Sequence, residues 1–236
     1  MSTLYMIRHG QASFGAADYD DLSAAGRQQA RLLGDFFVRA GIRFDACWSG
    51  TLRRQRQTAG EVRARCRDAG QGMPGPTETA DLNEYDYEAV LRALIPVIQQ
   101  EDPGFINDVG NMLSDQRAFQ KVFGRVMTRW ASGRDNLDGV RPWSDFSARV
   151  TGVLENLMSA GDRGRQVAVF TSGGPIAAQV GRVMGLGAEK TISLSWQLVN
   201  ASLTRFTFSR ERITLSTFNE YGHLSFNGGA RLVTYR

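Results

Sequence analysis

Two histidines, two cysteines and two lysines are all that the 236 residues contain of those three types. Cys47 and Cys66 form no CxxC pair and are too few for a disulfide framework, and neither has the His, Cys or Asp spacing of a metal site, so free thiols and no bound metal are expected. No apolar run approaches the roughly 20 residues of a membrane-spanning helix. Residues 3–7 (TLYMI) are too short for a secretory leader, and no cleavage pattern follows them. The expected location is the cytoplasm, with no membrane partner. Zinc-finger spacing, aromatic RNA-binding motifs and a basic tail are also missing, which argues against a nucleic-acid partner. There is no internal repeat and no low-complexity tract. What remains is ordinary globular composition, 42% hydrophobic and 22% charged, on a chain long enough for one large domain with an insertion. The net charge is +4 from 28 basic and 24 acidic residues, with arginine supplying nearly all of the basic ones. Arginine suits an anionic ligand, but a solvated helix face accounts equally well for the densest stretch, TLRRQRQTAGEVRARCR.

Residues 3–8 carry strand formers. Asp21-Leu22-Ser23 then offers an N-cap, and AAGRQQARLLGDFFVRAG reads as an amphipathic helix whose stripe is Leu32, Leu33, Phe36 and Phe37, ended by Gly41. FDACWS (44–49) is a second strand, and Thr51 or Ser49 caps a helix running to about Cys66. Residues 67–80 form a Gly/Pro-rich loop, 84–102 and 115–131 read as helices separated by DPGFINDVGNM, and 142–161 is a further helix. QVAVFTSGGPIAAQVGRVMGLG gives a strand, a Gly-Gly-Pro break and a helix with Pro175 in its first turn. SLTRFTFS and RITLSTF suggest an edge hairpin. The stretch near Ser193 has no assignable element. Strand–helix–strand–helix order implies right-handed parallel crossovers. The expected architecture is a three-layer α/β/α sandwich, mostly parallel with an antiparallel edge, in a single domain over 1–236 with a helical insertion at about 81–145 over the pocket.

In such a sheet ligands bind beyond the carboxyl ends of the strands. Three segments end strands there: RHGQAS, SGTLRRQRQTA and TSGGPI. They bring a histidine, arginines with paired donors, and a Gly-rich turn into a helix start with its free N–H groups. Each is weak alone; together they describe an oxyanion site, most simply one for phosphate. His9 beside it is a candidate nucleophile. FTSGG lacks the G-x-S-x-G elbow, so Ser172 fits a phosphate ligand better than a nucleophile.

The motifs LYMIRHGQAS, YDDLSAAGRQQARLLG, WSGTLRRQRQTA, DLNEYDY, VFTSGGPI, NASLTRF and FNEYGHL, spread over almost the whole chain, resemble the histidine phosphatase superfamily, also called phosphoglycerate-mutase-like. The resemblance implies that His9 carries a phosphohistidine intermediate, that Arg8 and Arg54 bind phosphate, with Arg53 beside Arg54, and that Glu84 donates a proton, with Asp86 as its competitor. It also marks a departure. Active members usually have a histidine where this chain has Ser172, so the expectation is a phosphomonoester hydrolase that works more slowly or recruits another group, or a phosphate- or phosphoprotein-binding module without chemistry. Thr171, Ser172, Gly173 and Gly174 are expected to turn hydroxyls and N–H groups toward the phosphate. Gln11, Ser13 and His223 are expected at the pocket rim, His223 more structural than catalytic. No cofactor or metal is implied, and the ligand is a small phosphorylated metabolite or phosphoprotein. Mutase activity is disfavoured on the ground that the tail ends soon after the sheet and offers no cover.

Overall fold

The computed structural model describes residues 1–13, 20–160, 163–210 and 212–235. Strand β1 (Ser2–Arg8) lies near the middle of a six-stranded sheet. With β2 (Ala46–Ser49), β3 (Thr77–Glu78), β4 (Gln166–Thr171), β5 (Leu203–Phe208) and β6 (Ile213–Glu220) the order is β3-β2-β4-β1-β5-β6. The β1–β4, β2–β4 and β2–β3 pairs are parallel, and β1–β5 and β5–β6 are antiparallel. The mostly parallel sheet and its antiparallel hairpin edge are therefore as the sequence implies.

Alternation along the strands sends side chains to two separate cores. Tyr5 and Ile7 of β1 and Ala168 and Phe170 of β4 pack with Leu33 and Phe37 of helix α1 (Ala24–Arg39) and Val62 of α2 (Arg53–Asp68). Leu4, Met6, Val167 and Val169 face the other way. They pack with Leu94 of α3 (Tyr87–Glu101), Val126 of α5 (Gln116–Ser132), Leu154 of α6 (Trp143–Ser159) and Ile176 of α7 (Gly173–Met184). The result is three layers. Among the described residues, no helix is long and apolar enough to cross a membrane.

Several local expectations change. The 67–80 loop contains β3, paired to β2, and DPGFINDVGNM contains helix α4 (Phe105–Asn111). The stretch near Ser193 is helix α8 (Ala188–Ser195). Ser23 caps α1, accepting from the Gly26 N–H at 3.0 Å. Neither Ser49 nor Thr51 caps α2; its N-cap residue is Leu52. There the Asp20 carboxylate, from far along the chain, accepts from the Arg53 N–H at 2.7 Å, and Asn83 accepts from the Thr51 N–H at 2.7 Å. Such long-range capping leaves no local signature. The expected end of the 142–161 helix falls partly on residues outside the described ones, as α6 closes at Ser159.

The chain also does not end clear of the sheet. After α9 (Gly222–Gly228) a 3-10 turn (Ala230–Leu232) leads the tail back to the carboxyl end of β1. The Asn200 N–H donates to the Thr234 carbonyl at 2.8 Å, and Arg8 Nη2 donates to the Tyr235 carbonyl at 3.0 Å. The tail therefore reaches the strand ends, where the sequence implied no cover, so a missing cover does not count against mutase chemistry.

Candidate active site

The parallel ladder between β1 and β4 places two of the candidate residues side by side. Arg8 pairs with Thr171, and the His9 N–H extends the ladder to the Thr171 carbonyl at 2.9 Å. His9 and Ser172 follow this pair directly, at the carboxyl ends of β1 and β4. The His9 carbonyl is held from behind by the Ala201 N–H at 3.1 Å and by Asn200 Nδ2 at 3.2 Å. Gly10 follows because nothing larger fits: a Cβ there would lie 2.5 Å from the Gly26 carbonyl oxygen of α1.

His9 is 5% exposed. Its Nδ1 lies 2.7 Å from the Gly10 carbonyl, which can only accept, so Nδ1 carries the proton and Nε2 presents a lone pair. Arg54 Nε donates to that lone pair at 3.1 Å. Burial, then the guanidinium of Arg54, then that of Arg8, hold the His9 pKa well below the ordinary 6.5, against the opposing pull of the Gly10 carbonyl. The imidazole is thus neutral and oriented at physiological pH, as a nucleophile must be.

The spacing Arg54-x-x-x-Thr58 on α2 is one helical turn, which puts both side chains on one face. Thr58 Oγ1 accepts from the Gly10 N–H at 3.0 Å while Arg54 reaches the imidazole. Asp20 Oδ1 binds Arg54 Nη1 at 2.5 Å. Arg53 points instead to Asp21, at 2.9 Å.

Glu84 lies across the site at the start of α7. Both carboxylate oxygens are 3.1 Å from the Gly174 N–H. Position 174 must be glycine for this approach, since a Cβ would meet Glu84 Oε1 at 2.1 Å and the Tyr85 ring at 2.8 Å. Loss of water raises the Glu84 pKa above the ordinary 4.5, and the Gly174 N–H, Arg54 and Arg8 only partly oppose this. Asp86, its competitor, is exposed and serves as the N-cap of α3, accepting from the Ala89 N–H at 2.9 Å. An ionised Glu84 therefore costs stability, a cost absent below the unfolded carboxyl pKa and growing as pH rises through it. Glu84→Gln is expected to raise Tm at pH 7 by roughly 2–4 °C, the scale of about 1 kcal/mol in a chain of this size. Melting curves should show that gap closing as pH is lowered toward 4.5; a gap independent of pH would contradict the assignment.

The remaining expected ligands divide. Ser172 is fully buried, and its Oγ accepts from Gln55 Nε2 at 2.8 Å. Thr171 does not turn its hydroxyl toward an anion; Oγ1 donates to the Leu82 carbonyl at 2.5 Å. The Gly174 N–H is occupied by Glu84, and Gly173 packs against the Ser195 carbonyl, 3.1 Å from where a Cβ would stand. Arg8 donates to the Leu198 and Tyr235 carbonyls, and its charge acts on both His9 and Glu84. Gln11 and Ser13 lie half-buried on the loop after β1. The Gln11 side-chain oxygen accepts from the Ser23 hydroxyl at 2.9 Å, and the Ser13 N–H donates to the Asp21 carbonyl at 2.8 Å. His223 does not form a rim. It is 6% exposed, its ring 5.7 Å from that of Phe36, with a hydrogen bond to the Ala201 backbone, and burial lowers its pKa to about 4. Ala201 has a left-handed φ of 57°, so His223 braces the strained turn that holds the His9 carbonyl. Sequence reasoning missed Asp20, Gln55 and Asn200; each is a polar residue whose partner in the site is distant in sequence.

A family model described as histidine phosphatase superfamily (branch 1) matches residues 4–221. The chain belongs to that superfamily. Solved structures agree in fold. YhfR of Bacillus stearothermophilus is 17% identical with a TM-score of 0.67, the match covering 95% of this chain and all of that one. A mutant of Entamoeba histolytica phosphoserine phosphatase in complex with phosphoserine is 19% identical over 95% of this chain and all of its own, with a TM-score of 0.63. A mycobacterial glucosyl-3-phosphoglycerate phosphatase with inorganic phosphate is 22% identical over 94% and 98%, with a TM-score of 0.61. No curated protein matches the chain. Among the described residues of this superfamily member, no group of three or more His, Cys, Asp or Glu is placed to hold a metal ion.

Proposed function

We propose that the protein is a phosphomonoester hydrolase working through a phosphohistidine at His9. The observation that carries this reading is the imidazole itself: Nδ1 tied to the Gly10 carbonyl, Nε2 unprotonated and facing Arg54. A phosphoryl group entering beside Nε2 takes over the Arg54 hydrogen bond, which releases the lone pair for attack. The Nε2–P bond forms as the P–O ester bond breaks, and the leaving oxygen takes the proton of Glu84. Water then attacks phosphorus and gives its proton to the Glu84 carboxylate. The Nε2–P bond breaks, and the products are inorganic phosphate and neutral His9. Arg54 and Arg8 stabilise the charge on the phosphoryl oxygens, as preorganised donors do in a site with little water.

The phosphorylated substrate is a small polar metabolite. A cavity of about 400 Å³ borders Glu84 and is lined by Asn83, Tyr85, Trp130, Arg141, Phe146 and Arg149. It gives the leaving alcohol both aromatic and charged walls, and related folds act on phosphoserine and glucosyl-3-phosphoglycerate. The rival reading, a binding module without turnover, draws on one observation, the serine at position 172.

The guanidinium groups of Arg54 and Arg8 replace a metal in this scheme. Turnover of an aryl phosphate is expected to be unchanged by EDTA, measured before and after exhaustive chelation. Loss with EDTA and recovery with a divalent cation would refute the mechanism. A wild-type protein that binds phosphate yet hydrolyses no ester in a metabolite panel would favour the binding module.

A further inference from the structure

Gln55 follows Arg54 on α2 and has no part in the scheme above, yet it is completely buried beside the site. Its hydrogen bonds have a fixed direction. The Leu52 N–H, which can only donate, lies 3.3 Å from Gln55 Oε1. The Leu82 carbonyl, which can only accept, lies 3.2 Å from Gln55 Nε2. These two backbone partners set the orientation of the amide without reference to Ser172. The second amide hydrogen then goes to Ser172 Oγ at 2.8 Å.

A hydroxyl has one proton and two lone pairs. Because Gln55 can only donate at this position, it occupies a lone pair of Ser172 and leaves the hydroxyl proton for another acceptor. Ser172 follows Thr171, which pairs with Arg8 and accepts from the His9 N–H at 2.9 Å, so the two residues leave neighbouring strand ends. Thr171 cannot substitute, since its hydroxyl is committed to Leu82. The chain of donors runs from the Leu52 backbone through Gln55 and Ser172 toward the site.

We propose that Gln55 is a positioning residue that fixes the Ser172 hydroxyl as a donor to an anion held at His9. The inference rests on the reading that a phosphoryl group binds there, and it names what supports that group where an imidazole would otherwise stand. A hydroxyl polarised by an amide is a stronger donor than a free one, and the donation gives the phosphoryl oxygens one directed hydrogen bond.

Orthovanadate is the probe. Its affinity is measured by calorimetric titration for wild type, Gln55→Met, Ser172→Ala and the double variant, with melting curves recorded for all four. Gln55→Met is expected to weaken vanadate binding about fivefold when Ser172 is present, the scale of one net hydrogen bond, and less than about twofold in the Ser172→Ala background. An equal loss in both backgrounds would mean that Gln55 only supports the fold, and the inference would be wrong. If Gln55→Met does not fold, Gln55→Glu keeps the shape and reverses the polarity, because a carboxylate accepts the Ser172 proton. Its loss must again exceed, at least threefold, the loss it causes in the Ser172→Ala background. Absence of vanadate binding to wild type would also overturn the inference. Aryl phosphate turnover on the same proteins separates the two ideas. Coupling in vanadate affinity without wild-type turnover keeps the Gln55 assignment and ends the hydrolase reading. His9-dependent turnover without coupling does the reverse.

Discussion

His9→Ala is expected to reduce hydrolysis of phosphomonoesters by more than about a thousandfold, because it removes the atom that forms the covalent bond rather than one of several stabilising contacts. The fold should survive. The backbone of His9 is held by the Thr171 carbonyl in front and by Asn200 and Ala201 behind, and none of these bonds involves the imidazole. Arg54 also keeps its second anchor, Asp20. The measurement is steady-state turnover of an aryl phosphate together with rapid quench and mass spectrometry of the wild type, which should show one acid-labile phosphoryl group on His9. Turnover persisting in the variant, or a label found on Ser172 instead, would remove the histidine from the centre of the mechanism.

The parts of this site that could be read in the sequence are those whose chemistry is local. RHG places a histidine at a strand end, and Gly10 shows why the triplet is a unit: the turn must pass the Gly26 backbone more closely than any Cβ allows. Arg54-x-x-x-Thr58 is legible because one helical turn is a sequence interval. The sheet was legible too, since β1 and β4 alternate between two apolar cores, and the hairpin of β5 and β6 carries its own strand signals. The short strand β3 was not, because two residues in a Gly/Pro-rich stretch gain their pairing only from β2. Helix α4 is seven residues, too short to show a full amphipathic period. Within the site, Gln55 was hidden in a polar stretch that a solvated helix face explains as well, and only the Leu82 and Ser172 contacts separate the two. Glu84 was assigned by resemblance; its physical reason, the Gly174 N–H at the mouth of α7, required the two segments to be brought together from 90 residues apart.

Glu84→Gln is expected to lower kcat/KM for an alkyl phosphate by roughly 10²–10⁴-fold, the range of general acid–base catalysis. The loss should depend on the leaving group in a way that no purely structural role would produce. An alkoxide needs a proton to depart, and the amide has none to give, so the first step fails and no phosphorylated protein accumulates. A nitrophenolate departs without a proton, so His9 is still phosphorylated, but the water that follows has lost its base. With the aryl ester the variant should therefore show a stoichiometric burst, then slow turnover, and a trapped phosphohistidine. The pH profile of wild type carries the same assignment. Activity on the alkyl ester requires neutral His9 and protonated Glu84. It falls on the acid side as His9 takes a proton, at a pH well below the ordinary imidazole value because burial and two arginines oppose the cation. It falls on the alkaline side as Glu84 ionises, at a pH above the ordinary carboxyl value because loss of water opposes the anion. In Glu84→Gln the alkaline limb of kcat/KM for the alkyl ester should vanish from the residual activity while the acid limb stays. Equal losses on both esters, or an alkaline limb that survives the substitution, would show that Glu84 holds the α7 turn in place and that the proton comes from another group.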